Sequence, residues 1–247
     1  MMRRFVADLH VHTLLSPCAA IEMTPRNIIN HAVDCNIDII AITDHNACDN
    51  VAAAVEAAAG TKVVVVPGME VETKEEVHLI TLFETVDQLK SFNDYITSCL
   101  SGRVNDQERF GAQIIVDACD EFIGFREDML LASLTSGVEE VTAEVAVRNG
   151  ICIASHVDRP VYSILSQLGF VPPDLMLAAV EVSRLTSTKS ATEKFPSIGC
   201  LPVITSSDAH YISDFVTGPK TVFYMEKPTL FEIRQALNNQ NGRKILS

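Results

Sequence analysis

Short apolar runs rich in β-branched residues recur along this chain, with helical stretches between them. FVADLHV at 5–11, IDIIAIT at 37–43, KVVVVPGMEV at 62–71 and EEVHLITLF at 75–83 read as strands, the third broken by Pro67-Gly68. ICIASH at 151–156, LAAVEVS at 177–183, LPVITSS at 201–207 and TVFYM at 221–225 continue the rhythm. Between them, Thr24-Pro25 opens a helix with Pro at its first turn, 51–60 reads as a helix ending at Gly60, and 228–239 reads as a closing helix. Strands separated by helices call for parallel pairing and an α/β architecture. Six to eight such strands suggest a closed barrel, with an open doubly wound sheet as the rival. No linker-like stretch divides residues 1–247, so a single domain is expected. A mostly helical insertion is expected around 86–149, where strand periodicity fades.

At 247 residues and 47% hydrophobic, the chain can bury a substantial core. No stretch approaches the ~20 apolar residues of a membrane span, and no apolar leader follows the basic start, so no membrane partner is expected. Seven scattered cysteines without a C-x-x-C pair suit a reducing cytoplasm. The net charge of −13 argues against binding that depends on neutralising many phosphates, so no binding to a nucleic acid duplex is expected. A small phosphorylated substrate remains compatible, because bound cations reverse the local field.

Six of the seven histidines lie in or just after apolar strands: His10, His12, His45, His78, His156 and His210. Carboxylates accompany them in Asp8-Leu9-His10-Val11-His12, Asp44-His45 and Asp208-Ala209-His210, and Glu70 ends the third strand. In a parallel barrel the carboxyl ends of the strands converge on one face. His10 and His12, two apart, can point to one side of a strand and chelate one ion. His31 sits within the first helix and reads as a surface residue.

Taken in order, Asp8-Leu9-His10-Val11-His12-Thr13, Thr43-Asp44-His45, Gly68-Met69-Glu70 with His78, His156, and Asp208-Ala209-His210 resemble the motifs of the PHP (polymerase and histidinol phosphatase) family over nearly the whole chain. The resemblance implies a distorted seven-stranded (β/α) barrel carrying two or three divalent metal ions, and phosphoester hydrolysis. It implies His10, His12, Glu70 and Asp208 on a first ion, with Glu70 bridging to a second held by His78 and His156. A third ion would take His45 and His210. The further ligand that the family places just after the first motif aligns here with Pro17, which cannot bind. Cys18, Glu22, or a water or substrate oxygen would then complete that shell, and Cys18 itself reads more readily as a buried small residue.

Imidazole-rich shells suit Zn, Fe or Mn better than Mg. Such ions screen phosphate charge and lower the pKa of bound water toward ~7. Glu70, Asp208 and Asp44 are the carboxylates assigned to the chemistry, Asp44 either from behind a ligand histidine or, alternatively, as a cap for the following turn. Arg159 and Arg184 are the candidates for gripping a substrate phosphate. Two other readings stand beside a phosphoesterase: a non-catalytic metal-binding regulatory domain, and a barrel amidohydrolase. Amidohydrolases also open on His-x-His but use a Lys after a middle strand, whereas Lys62 precedes one. No Gly-rich phosphate loop or G-x-S-x-G elbow occurs.

Overall fold

A computed structural model describes residues 1–246. In chain order the elements are β1 (Arg3–Val11), α1 (Pro25–Asp34), β2 (Ile39–Ile42), α2 (Val51–Ala57), β3 (Val64–Glu72) and β4 (His78–Leu82). The 86–149 segment follows, with α3 (Val86–Cys99), α4 (Gln107–Phe110), β5 (Ile114–Val116), β6 (Phe122–Phe125) and α5 (Val138–Val147). The chain then continues through β7 (Ile151–Ala154), α6 (Ile164–Leu168), β8 (Ala179–Val182), α7 (Thr188–Lys194), β9 (Val203–Thr205), α8 (Ile212–Thr217), β10 (Thr221–Met225), α9 (Leu230–Leu237) and β11 (Lys244–Leu246).

Among the described residues the main sheet has nine strands, not seven, in the order β11-β10-β1-β2-β3-β4-β7-β8-β9. It is a curled half-barrel. β10 pairs antiparallel with the first half of β1, Arg3–Ala7, and carries β11 at its edge. The second half of β1 is left for the chain just past β9: His12 N–H donates to Ala209 O at 3.0 Å and Ala209 N–H to His10 O at 3.4 Å. This contact brings the end of the β9 segment against the first strand.

The sheet is also mixed. β1, β2 and β3 run parallel, as do β7, β8 and β9, but β4 runs antiparallel to both β3 and β7. The cause is length. Five residues separate β3 from β4, and a parallel return needs a crossover of roughly a dozen. Thr73 N–H donates to Val77 O at 2.9 Å and closes the hairpin. Nor is β3 broken at Pro67, which pairs with Ile42 and accepts a hydrogen bond from Phe83 N–H at 2.8 Å. The 86–149 segment contains a two-stranded hairpin, β5–β6, as well as helices. Its strands are three and four residues long, and Phe122, Ile123 and Phe125 are exposed, so no alternating pattern marked it.

Alternation along the strands sorts the core into two layers. Phe5, Ala7 and Leu9, Ile39 and Ala41, Val66, Ile80 and Leu82, Ile151 and Ile153, Ala179 and Ile204 pack together inside the curl, with Leu230, Ile233 and Leu237 of α9 against them. Ile40, Ile42, Val65, Leu79, Cys152, Val180 and Val182 face outward and pack with Ile28 and Ile29 of α1 and Ala54 of α2. Gly68 continues the inner register of Val66. A Cβ there would lie 2.9 Å from both Leu82 Cδ2 and Thr43 Cγ2 and 3.1 Å from Ile42 O. Gly68→Ala is expected to cost about 1–3 kcal/mol of stability through this overpacking, which a urea titration would read. All seven cysteines are free. Among the described residues no helix is long and apolar enough to cross a membrane.

Candidate metal centre

Register carries the inner faces of the strands into the site. On β3, Val66, Gly68 and Glu70 share a face; on β4, Leu82, Ile80 and His78 do; on β8, Ala179 and Glu181 do. Because β4 is antiparallel, His78 stands at its amino end, opposite Glu72 of β3, and still reaches the same rim. The expectation that every ligand sits at a carboxyl strand end fails for this residue. His45 arrives by extension of the parallel pairing: Glu70 N–H donates to Asp44 O at 3.1 Å and Asn46 N–H to Glu70 O at 2.9 Å. His156 and Asp208 both adopt left-handed backbone, with φ of 28° and 49°, a conformation that costs energy outside glycine and gathers at functional sites.

Glu70, 1% exposed, lies at the middle. Its Oε1 is 3.2 Å from His10 Nε2, 3.1 Å from His78 Nδ1 and 3.3 Å from His156 Nε2. Its Oε2 is 3.4 Å from His12 Nε2 and 3.2 Å from His45 Nδ1. Asp208 Oδ1 lies 3.3 Å from His10 Nε2, 3.4 Å from His12 Nε2 and 3.6 Å from His210 Nδ1. All eight residues expected as ligands therefore come together. Among the described residues, three sets of potential ligand atoms each lie within 4.8 Å of one another: His10, His12, Glu70 and Asp208; His12, His45 and His210; and His45, Glu70 and His78. The first matches the expected grouping. The other two differ, because His12 is shared with His45 and His210, and His45 rather than His156 stands with Glu70 and His78.

Despite these short separations, His10 Nε2, His12 Nε2, His78 Nδ1 and Glu70 Oε1 have no hydrogen-bond partner. They are buried and face a common centre rather than each other in bonding geometry. Such orphaned polar atoms are costly without a further partner. Nitrogen and carboxylate oxygen in this mixture are the donor set of Zn, Fe and Mn, so the residues fit divalent cations.

The surrounding charges divide the site: against burial, the carboxylates of Glu70 and its neighbours raise His10, His12 and His78 above an ordinary histidine, His78 to about 9, favouring protonated rings until a cation competes for them. Burial opposes the ionisation of Glu70, but His78 and His10 outweigh it and hold its carboxyl well below the usual range. Asp208 is held low in the same way, chiefly by His10 against burial. Burial, with His12 beside it, lowers His45 well below an ordinary histidine and His210 to about 4, favouring the neutral ring that binds metals.

The Asp44 carboxylate belongs to none of these sets. It accepts from Thr13 N–H, Thr13 Oγ1 and Ser16 Oγ, each at 2.7 Å. Ser16 Oγ is 3.0 Å from His12 Nδ1, so the Asp44–Ser16 pair holds that ring from behind, leaving Nε2 toward Glu70. The capping alternative does not hold, since Asn50 precedes α2. Nothing in the sequence marks Ser16 or Thr13 for this role. Glu181, an acid inside the apolar run LAAVEVS, is a further functional residue and carries the same sequence signal as Glu70.

Arg159 Nη2 lies 2.5 Å from Asp208 Oδ2. It shares a cavity of about 120 Å³ with His156, Glu181, Arg184, Ser207 and Asp208. Arg184, more than half exposed, is tied to Asp214 at 3.0 Å. His31 lies on α1 outside the cluster. Cys18 is exposed rather than buried, and neither it nor the exposed Glu22 belongs to any of the three ligand sets. Cys18→Ala is therefore expected to leave the metal content per chain unchanged, as elemental analysis of the purified variant would read.

The PHP domain family model matches residues 8–181, which takes in every ligand candidate except Asp208 and His210. No curated protein matches the chain in sequence. Among solved structures, Endonuclease Q from Pyrococcus furiosus superposes with a TM-score of 0.67 at 18% identity, over 98% of this chain and 58% of that one. A protein assigned as a metal-dependent phosphoesterase from Bifidobacterium adolescentis gives 0.53 at 16%, over 83% and 87%. An amidohydrolase from Chromobacterium violaceum with bound sulfate gives 0.57 at 16%, over 97% of each. At these identities the likeness is one of fold, and this chain spans little more than half the length of Endonuclease Q. A second Endonuclease Q structure, matched at TM-score 0.66 and 18% identity over the same shares of both chains, holds a 27-mer duplex with an abasic lesion at its active site. That finding overturns the exclusion of duplex nucleic acid drawn from net charge. An overall charge of −13 averages the whole surface, whereas a phosphate entering such a site meets the local field of cations and arginines.

Proposed function

The chain belongs to the PHP domain family, and from that premise we propose that it is a metal-dependent hydrolase of phosphate esters. The observation that carries this reading is Glu70, whose two oxygens face five imidazole nitrogens at 3.1–3.4 Å while Asp208 faces two of them. His10, His12, His45, His78, His156, His210, Glu70 and Asp208 would hold two or three Zn, Mn or Fe ions. When bound, the ions would screen phosphate charge and lower the pKa of water at the site.

Glu70 would be the carboxylate shared between neighbouring cations, and Asp208 ties the first set to Arg159. Arg159 is the residue for gripping a phosphate oxygen: its guanidinium lines the cavity beside Asp208, where it exchanges one anionic partner for another. Arg184, at the mouth of the same cavity, is a second contact for a longer substrate. Asp44 acts through Ser16 by holding His12.

The ester could belong to a phosphorylated metabolite, a nucleotide or a nucleic acid strand. Seven free cysteines, four of them exposed, fit a reducing cytoplasm. We read residues 1–247 as one domain, with 86–149 as an elaboration between β4 and β7.

Elemental analysis of the purified protein, followed by a hydrolysis screen with Zn, Mn and Fe added separately, tests this reading. Substrates should span a phosphate monoester, a diester, a nucleotide, an amide and a duplex carrying an abasic site. Two to three ions per chain and chelator-sensitive release from a phosphate ester are expected. Release from the amide alone would favour the amidohydrolase reading. Bound metal with no hydrolysis of any substrate would leave a metal-binding regulatory domain.

A further inference from the structure

Glu181 is 1% exposed and lies on β8 between Val180 and Val182, at the inner-face position above Ala179. A carboxylate so placed must be partnered, and its partners come from two separate ligand-bearing segments. His10 Nδ1 lies 3.0 Å from its Oε1 and 3.3 Å from its Oε2. The backbone N–H of His156 donates to its Oε1 at 3.2 Å. The opposite nitrogen of the His10 ring, Nε2, faces Glu70 and Asp208 at 3.2 and 3.3 Å.

Resting on the metal-centre reading above, we propose that Glu181 is a positioning residue that sets the tautomer of His10 and anchors the turn bearing His156. The first half follows from valence. A carboxylate at Nδ1 takes the ring N–H there, so the lone pair of Nε2 is left for the centre. Without that partner the two tautomers of a neutral imidazole differ little in energy, and half or more of the rings would present a hydrogen where a lone pair is needed. The second half follows from backbone strain. His156 holds φ at 28°, which a non-glycine residue adopts only when its surroundings impose it. The turn is fixed by Val157 N–H, which donates to Glu181 O at 2.8 Å, together with the His156 N–H bond to the side chain. One residue thus clamps the turn with both backbone and side chain while orienting a ring from β1.

Neither partner needs Glu181 as a ligand, and it belongs to none of the ligand sets. Removing it should weaken the first ion by roughly 10–100-fold, the range found when outer partners of metal-bound histidine are lost. Loss of the fold is not expected.

The test has two arms. In wild-type protein labelled with ¹⁵N-histidine, the His10 ring should show Nδ1 protonated and Nε2 unprotonated once Zn is added. The opposite tautomer, or Zn on Nδ1, overturns the proposal without recourse to any variant. In the second arm Zn is titrated against a competing chelator into wild type, Glu181→Gln and Glu181→Ala. The tightest Zn equivalent is expected to weaken by roughly 10–100-fold in Glu181→Ala. In Glu181→Gln, whose amide oxygen can still accept one of the two N–H groups, the loss should be smaller. Wild-type affinity in both variants, with the His10 tautomer unchanged, would sink the role of Glu181 alone. If wild type itself took up no metal, the metal-centre reading would fall and this inference with it.

Discussion

Glu70→Gln should abolish metal-dependent hydrolysis while leaving the chain folded. The argument is one of charge and valence. In wild type a single buried carboxylate faces His10, His78 and His156 with one oxygen and His12 and His45 with the other. Glutamine has the same shape but no charge, and one of its two ends carries hydrogens, so it cannot supply two anionic donors. At least one ion per chain should be lost and the rest held more weakly. Activity should fall by three or more orders of magnitude if the bridged pair acts as a unit, since removing a member of a concerted group forfeits most of its effect. The fold should survive, because Glu70 is held in β3 by backbone pairing on both sides and burying a neutral amide costs less than burying a carboxylate. Elemental analysis, chelator-sensitive turnover and far-UV circular dichroism measured on one preparation decide it. Wild-type turnover with a full complement of metal would remove Glu70 from the centre.

Lys220→Met is expected to be among the most destabilising single changes outside the cluster. Asp8, fully buried on β1, lies 3.0 Å from the Nζ of Lys220, the residue before β10, and accepts from Ser207 N–H at 3.0 Å. Burial pushes the Asp8 carboxyl up, against Lys220 and the Ser207 hydrogen bonds, which hold it down. Taking away the ammonium leaves an uncompensated buried charge, a loss of about 3–5 kcal/mol. The diagnostic comparison is the double variant Asp8→Leu/Lys220→Met. Replacing both partners with apolar groups should recover a large part of the loss, because a buried pair as a whole contributes little net stability. Urea midpoints for the two singles and the double give the coupling. If Lys220→Met unfolds at the wild-type midpoint, the pair is not a buried charge in solution.

The residues of the cluster were legible in the sequence because each interrupts or closely follows an apolar strand with a side chain that a core cannot accept without a reason. His10, Glu70 and His78 carry that signature within strands, and so does Glu181, which belongs to none of the motifs the family resemblance rests on. The grouping of ligands was not legible. Sharing of His12 between two sets depends on where its ring points, and that is set by Ser16 and Asp44, 4 and 32 positions away in sequence. The antiparallel course of β4 was legible but unread: five residues between strands rule out a parallel return. The β5–β6 hairpin was out of reach, since its strands are too short and too exposed to show a period. Overall charge misled on nucleic acid because it sums over a surface, whereas a binding site acts locally.

The contact between β1 and the chain past β9 sets an order of events. His10 and His12 are synthesised early, but the atoms that complete their surroundings come from Glu181, Asp208 and His210, and the Asp8–Ser207 hydrogen bond spans 199 residues. Closing such long loops is slow, because chain entropy is lost before any contact repays it. A nascent chain that has formed only β1 to β4 therefore carries four of the six clustered histidines and Glu70 without Asp208, His156 or His210. Ions present at that stage meet an incomplete and exchangeable set of donors. Metal uptake of full strength would then wait for closure of the curl, and occupancy would report the fraction of chains that have closed it.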